Sequence, residues 1–152
     1  MDILLWRHAD AEEHAPGLDD LARKLTTKGQ RQAAKVARWL DAWLPRDTRI
    51  LVSPAQRARE TAHALRRTHE VEPAIAPDAT VADLLRTADW PRMKRPVLLV
   101  GHQPTLGQLA ALLVSGREDS WPIRKGAVWW LSTSSGETLA SVRTVIDPRL
   151  LD

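Results

Sequence analysis

No cysteine, phenylalanine or tyrosine occurs anywhere in the 152 residues. The missing cysteines exclude disulfides, thiolate metal sites and every mechanism that needs a cysteine nucleophile. Long hydrophobic runs are lacking too. The opening stretch, MDILLWRHADAE, carries no basic segment and only a short apolar run, which fits neither a signal peptide nor a membrane span. A cytoplasmic location without membrane contact is the expectation. Nor does one sign of charge dominate: 22 basic and 19 acidic residues leave +3. With no dense basic block and no interleaved aromatic platform, a dedicated nucleic-acid binder is not indicated. No internal repeat or low-complexity segment divides the chain. What remains is 43% apolar and 27% charged, at a length that fits one domain, residues 1–152, burying its own core. A monomer is expected.

The pattern alternates strands and helices. ILLWR (3–7), RILVS (49–53) and PVLLVG (96–101) are short apolar runs of the buried-strand kind. Residues 26–44 place Ala33, Val36, Ala37, Leu40, Trp43 and Leu44 at helical spacing. Thr27 with Gln30 gives that helix a capping-box start, and Pro45 stops it. After the second strand, Ser53 as N-cap, Pro54 at the first helical position and Gln56 at the third mark a second helix. Residues 69–96 are proline-punctuated and irregular, with a short helix over 82–87, and 104–114 is a further helix. AVWWLST (127–133) and TLASVRTVI (138–146) read as a hairpin or edge pair. Trp39 and Trp43, four apart on one helix, read as packing residues. Trp129 and Trp130 would face opposite sides of their strand, one in the core and one partly exposed. His63 and His69 read as surface residues. Strand, polar turn and helix recur three times, which builds a mostly parallel α/β sheet with helices on both faces.

Ligands of such sheets bind beyond the carboxyl ends of the strands. The first strand ends in Arg7-His8, the second in Ser53-Pro54 with Arg57 one turn on, and the third in Gly101-His102-Gln103-Pro104. A cation beside an imidazole disfavours its protonation, so Arg7-His8 suits either an exposed turn or a neutral histidine near a bound anion. Arg57 opposes the helix macrodipole by roughly 0.3–1 kcal/mol, and an anion bound there would reverse the sign. Singly, each residue has an ordinary reading: a surface arginine, a strand-end histidine, an N-cap. Two histidines and two arginines at three equivalent strand ends point instead to one oxyanion site.

These segments resemble a known family. LLWRHADAE is similar to the Arg-His-Gly signature of the histidine phosphatase superfamily, the phosphoglycerate mutase-like proteins. LTTKGQRQA resembles the opening of that family's first helix, LVSPAQRARETA its Ser-Pro-x-x-Arg-Ala-x-x-Thr motif, and VLLVGHQP its second-histidine strand. The matches come in the family's order and cover most of residues 1–114. The resemblance implies a three-layer α/β sandwich with a mostly parallel central sheet. It also implies that His8 is a nucleophile that becomes transiently phosphorylated, with Arg7, Arg57 and His102 binding the phosphoryl oxygens, and that no metal or cofactor is needed. The interval 69–96 is too short for the helical lid of many members, so the chain resembles the minimal SixA-type phosphohistidine phosphatases. The substrate implied is a phosphohistidine-bearing protein or, alternatively, a small phosphorylated metabolite; a mutase activity is disfavoured by the missing lid.

Two departures stand out. Ala9 replaces the signature glycine, forfeiting its easy positive φ and crowding the turn. The proton-donating carboxylate falls by position in APDATVADL, with Asp78 the leading candidate and Asp83, Asp10 and Glu12 behind it. Two readings of other classes stay open. One is a metal hydrolase using His8, Asp10, His14 and His102, and the other is a non-catalytic phosphate-binding module.

Overall fold

The computed structural model describes residues 1–152. Its centre is a six-stranded sheet in the order β3-β2-β4-β1-β5-β6. β1 (Asp2–Arg7), β2 (Arg49–Val52), β3 (Glu70–Val71) and β4 (Val97–Gly101) run parallel, and β5 (Val128–Ser132) and β6 (Ser141–Ile146) complete one side as an antiparallel pair. The helices are α1 (Thr27–Trp43), α2 (Gln56–His63), α3 (Val81–Ala88) and α4 (Thr105–Ser115).

The apolar strands are apolar throughout because both sheet faces are covered. Ile3, Leu5, Leu51 and Leu99 pack under α3 and α4, while Leu4, Trp6, Ile50, Val52, Leu98 and Val100 pack under α1 and α2. The result is the three-layer arrangement the alternation predicts, with no lid domain. Each fully buried Leu or Ile contributes about 1.5–3 kcal/mol relative to exposure. Trp6 is completely buried, and its indole N–H donates to Gly126 O at 3.0 Å. No helix is long and apolar enough to cross a membrane.

Several local expectations need correction. The cap of α1 is Thr26 rather than Thr27, its hydroxyl accepting from Gly29 N at 3.0 Å. α2 begins after Ala55 with no side-chain cap, so Ser53 is not its N-cap. β3 lies in the segment read as irregular, two residues being too short for any periodicity. Trp43 is 64% exposed instead of packed, while Trp39 meets Trp130 edge-on at 5.9 Å. Trp130 is buried and Trp129 partly exposed, as their alternation predicts.

Gly29 answers to a close approach rather than to a turn. A Cβ built there would stand 1.9 Å from Asp10 O. The same backbone oxygen accepts from Thr26 N at 3.0 Å, so the start of α1 is pressed against the segment that follows β1.

Candidate active site

β2, β4 and β1 are parallel neighbours, so their carboxyl ends open on one rim. Arg7 and Gly101 are register partners. Beyond them His8 N donates to Gly101 O and Ser53 N to Val100 O, both at 3.0 Å. Arg7, His8, Arg57 and His102 line one cleft of about 180 Å³, joined by Arg23, Gln103 and Lys125. The expected rim is therefore formed.

His8 is 8% exposed, and its ring lies 5.2 Å from that of His102, centroid to centroid. Its Nδ1 is 2.8 Å from Ala9 O. A carbonyl only accepts, so Nδ1 carries the hydrogen and Nε2 keeps a free lone pair. Burial, reinforced by the charges of Arg57, Arg7 and Arg23, lowers its pKa to about 4 despite the Ala9 hydrogen bond. Burial and the neighbouring His8 and Arg57 lower that of His102 to about 3. Both imidazoles are neutral at physiological pH.

His102 Nε2 is 2.7 Å from Ser53 Oγ, which also accepts from Ala55 N at 3.2 Å. When the hydroxyl donates its hydrogen to Nε2, the ring hydrogen of neutral His102 sits on Nδ1, which has no protein partner. Arg7 is tethered by Nη1 to Ile123 O at 2.9 Å. Arg57 is tethered by Nη1 to Asp20 O at 2.7 Å and by Nη2 to Asp20 Oδ2 at 3.1 Å. The buried side-chain polar atoms without a partner are three: Arg7 Nε, Arg57 Nε and His102 Nδ1. All belong to cleft-lining residues, and each orphan costs about 1–3 kcal/mol in the absence of an acceptor.

The candidate acids are elsewhere. Asp78 is exposed and does not line the cleft, whose wall at that point is Pro77. Asp83 closes the capping box of α3 with Thr80. Asp10 accepts from Thr26 Oγ1 at 2.7 Å and pairs with Lys125 at 3.2 Å, contacts that hold its carboxyl below the usual range. Glu12 is exposed. No carboxylate lines the cleft. His14 is exposed, 3.9 Å from Asp20, and no three His, Asp or Glu side chains are grouped as a metal site would require.

Ala9 proves not to need glycine. The only non-glycine residues at positive φ are Arg66 and Asp89. Ala9 is fully buried against Leu25 and Ala33, and its N–H donates to Thr61 Oγ1 at 3.0 Å.

Residues 3–80 match the profile of the histidine phosphatase superfamily, branch 1. The chain belongs to that superfamily. The matched stretch holds Arg7, His8 and Arg57. Among curated relatives, a phosphohistidine phosphatase SixA homolog of Haemophilus influenzae is 34% identical over 77% of this chain and 79% of its own. The phosphohistidine phosphatase SixA of Escherichia coli is 32% identical over 76% of each. The solved structure of the protein histidine phosphatase SixA complexed with tungstate superposes with a TM-score of 0.80, at 26% identity over 99% of both chains. That likeness extends the histidine phosphatase fold through His102 to the end of the chain.

Sequence reasoning missed Asp20, Arg23, Ser53, Thr61 and Lys125 as contributors to this histidine phosphatase site. Ser53 and Thr61 carry a local signal, as the serine and threonine of the Ser-Pro-x-x-Arg-Ala-x-x-Thr motif: Thr61 Oγ1 donates to Arg57 O at 2.7 Å while accepting from Ala9 N.

Proposed function

We propose that the protein is a phosphohistidine phosphatase working through a covalent phospho-His8 intermediate. The observation that carries this reading is the set of three partnerless polar atoms around a neutral, Nδ1-protonated His8. A phosphoryl group presents three equatorial oxygens bearing most of the developing charge, and catalysis consists largely of positioning and neutralising them. Arg7 and Arg57 supply planar donors already anchored through their other nitrogens, which reduces the rearrangement needed on binding. His102, as Nδ1 donor, serves a further oxygen. His8 Nε2 attacks phosphorus with its lone pair as the bond to the leaving group breaks and the leaving atom keeps the electron pair. Water then attacks phosphorus, releasing phosphate and restoring neutral His8.

The lining supports the substrate class. An alkoxide leaving group needs a proton donor, and no carboxylate lines the cleft. A phosphorylated imidazole needs none from the enzyme. Its distal ring nitrogen titrates near neutrality, so solvent can protonate it, and the ring departs as neutral imidazole. A lidless rim also admits a side chain presented by another protein, and the SixA relatives are named for this chemistry. The test is to incubate the enzyme with a ³²P-phosphohistidine protein and quench rapidly. An acid-labile, base-stable phosphoenzyme is expected in wild type and absent from His8→Ala. Undiminished turnover by that variant would refute the mechanism. Equal kcat/KM on a phosphomonoester and on the phosphohistidine protein would refute the preference.

A further inference from the structure

A third arginine stands in the cleft wall, and like Arg7 and Arg57 it is tethered through only part of its guanidinium. Arg23 Nε donates to Asp20 Oδ1 at 3.0 Å, and Nη1 donates to Glu12 O at 2.7 Å. Nη2 makes no bond to the protein. Asp20 therefore holds two arginines at once, Arg23 through Oδ1 and Arg57 through Oδ2, with its backbone oxygen on Arg57 as well. Arg57 presents its remaining Nε and Arg23 its remaining Nη2.

Pinning the turn at 20–22 is the ordinary role for Arg23, and the bonds to Asp20 and Glu12 meet it. That role does not account for setting a second guanidinium beside Arg57, whose charge it disfavours. Charge balance supplies a reason. Four cations line the cleft, Arg7, Arg23, Arg57 and Lys125, and the carboxylates held against them are two, Asp10 and Asp20. The surplus of two positive charges matches a phosphoryl dianion.

We propose that Arg23 is a third arginine ligand of the transferring phosphoryl group, acting through Nη2, and that Asp20 is the positioning residue fixing Arg23 and Arg57 relative to each other. This rests on the reading of the cleft as a phosphoryl site.

Tungstate, a phosphate mimic, tests it in the intact protein. In a wild-type crystal soaked with tungstate, Arg23 Nη2 is expected within about 2.7–3.2 Å of a tungstate oxygen. By calorimetry, Arg23→Gln should weaken tungstate binding about tenfold or more, the loss of one charge-assisted hydrogen bond. Arg23→Lys should fall between, since one ammonium cannot serve Asp20, Glu12 and the ligand together. Asp20→Asn should weaken tungstate binding in the folded protein, and should weaken it less once Arg23→Gln is present, the remainder being the release of Arg57 Nη2. If Arg23→Gln does not fold, Arg23→Lys decides by the same measurement. Arg23 turned to solvent in the soaked crystal, or tungstate affinity within twofold of wild type in the folded variant, overturns the inference while leaving the phosphatase reading standing. Failure of wild type to bind tungstate at all overturns both.

Discussion

Ser53 and His102, forty-nine residues apart, are joined by a 2.7 Å hydrogen bond between Oγ and Nε2. With the hydroxyl as donor, the bond holds the second histidine as its Nδ1–H tautomer. Ser53→Ala removes the hydroxyl and leaves Nε2 buried without a partner, freeing His102 to flip or to exchange tautomers. The expected result is a kcat lowered about tenfold or more, from the 1–3 kcal/mol an unsatisfied buried group costs. KM should change less, because Arg7 and Arg57 still bind the phosphoryl group. Steady-state kinetics on a phosphohistidine protein checks this, and an unchanged kcat would remove Ser53 from the machinery.

The two imidazoles make acid stability a signature of the site. His8 and His102 titrate at about 4 and about 3 when folded, against 6.5 unperturbed. Between those values and 6.5 the unfolded chain binds more protons than the folded one, so stability rises with pH across the window and is lost as pH falls through it. The slope is at most about 1.4 kcal/mol per pH unit for each histidine. Depressed carboxylates such as Asp10 and Asp20 contribute only further down, below their own ordinary range. Urea titrations from pH 7 to 4.5 should show the fall, and His102→Asn should remove about half of this slope. Ring-proton NMR midpoints near 6.5 for both histidines would contradict the account.

Thr61→Val keeps the side-chain shape and deletes the hydroxyl that links Ala9 N to Arg57 O. A buried backbone N–H is then orphaned, at a cost of about 1–3 kcal/mol. Because Ala9 follows His8 directly and Arg57 opens α2, activity should fall along with stability. Thr61→Ser, retaining the oxygen, should recover most of both in denaturant melts and turnover assays.

How much of this was readable in the sequence depends on where each residue's partner lies. Arg7, His8, Arg57 and His102 occupy strand ends and a first helical turn, positions that a local pattern marks and a parallel sheet converts into one rim. Asp20, Arg23 and Lys125 come from the stretches 10–25 and 123–126, which show no apolar period and only a single 3-10 turn at 20–22, capped by Asp19. Their place is set by contacts across the chain, such as the Ala11–Leu25 bridge. Ser53 was legible as a residue but not in its role. The Ser-Pro-x-Gln pattern is the same for an N-cap as for a serine whose hydroxyl turns to a distant imidazole. The glycine-to-alanine change at residue 9 looked like a loss of turn freedom, yet the backbone there keeps negative φ and the methyl packs into a small apolar cluster.

Gly29→Ala probes the seam between the first strand's exit and α1. The added Cβ would meet Asp10 O at 1.9 Å, with Asp10 C at 2.9 Å. These are backbone atoms that no rotamer change can move aside, so the helix start and the 9–11 segment must separate. Overpacking of this kind costs roughly 1–3 kcal/mol, read as a lower urea midpoint at unchanged m-value. The displaced segment carries Asp10 and adjoins His8, so kcat should drop as well. A variant as stable and active as wild type would show that the seam yields freely.

Asp78→Asn addresses the proton donor. A general acid at that position would contribute about 10²–10⁴-fold to cleavage of an ester. The Asp78 side chain is exposed and outside the cleft, and a phosphorylated imidazole can be protonated by solvent. The variant should therefore keep kcat/KM on a phosphohistidine protein within about threefold of wild type, with the same pH profile, far short of the loss a missing acid produces. A hundredfold fall confined to phosphohistidine would mean that the loop after Pro77 swings its carboxylate to the leaving nitrogen during turnover. The cleft would then possess the acid that its lining lacks.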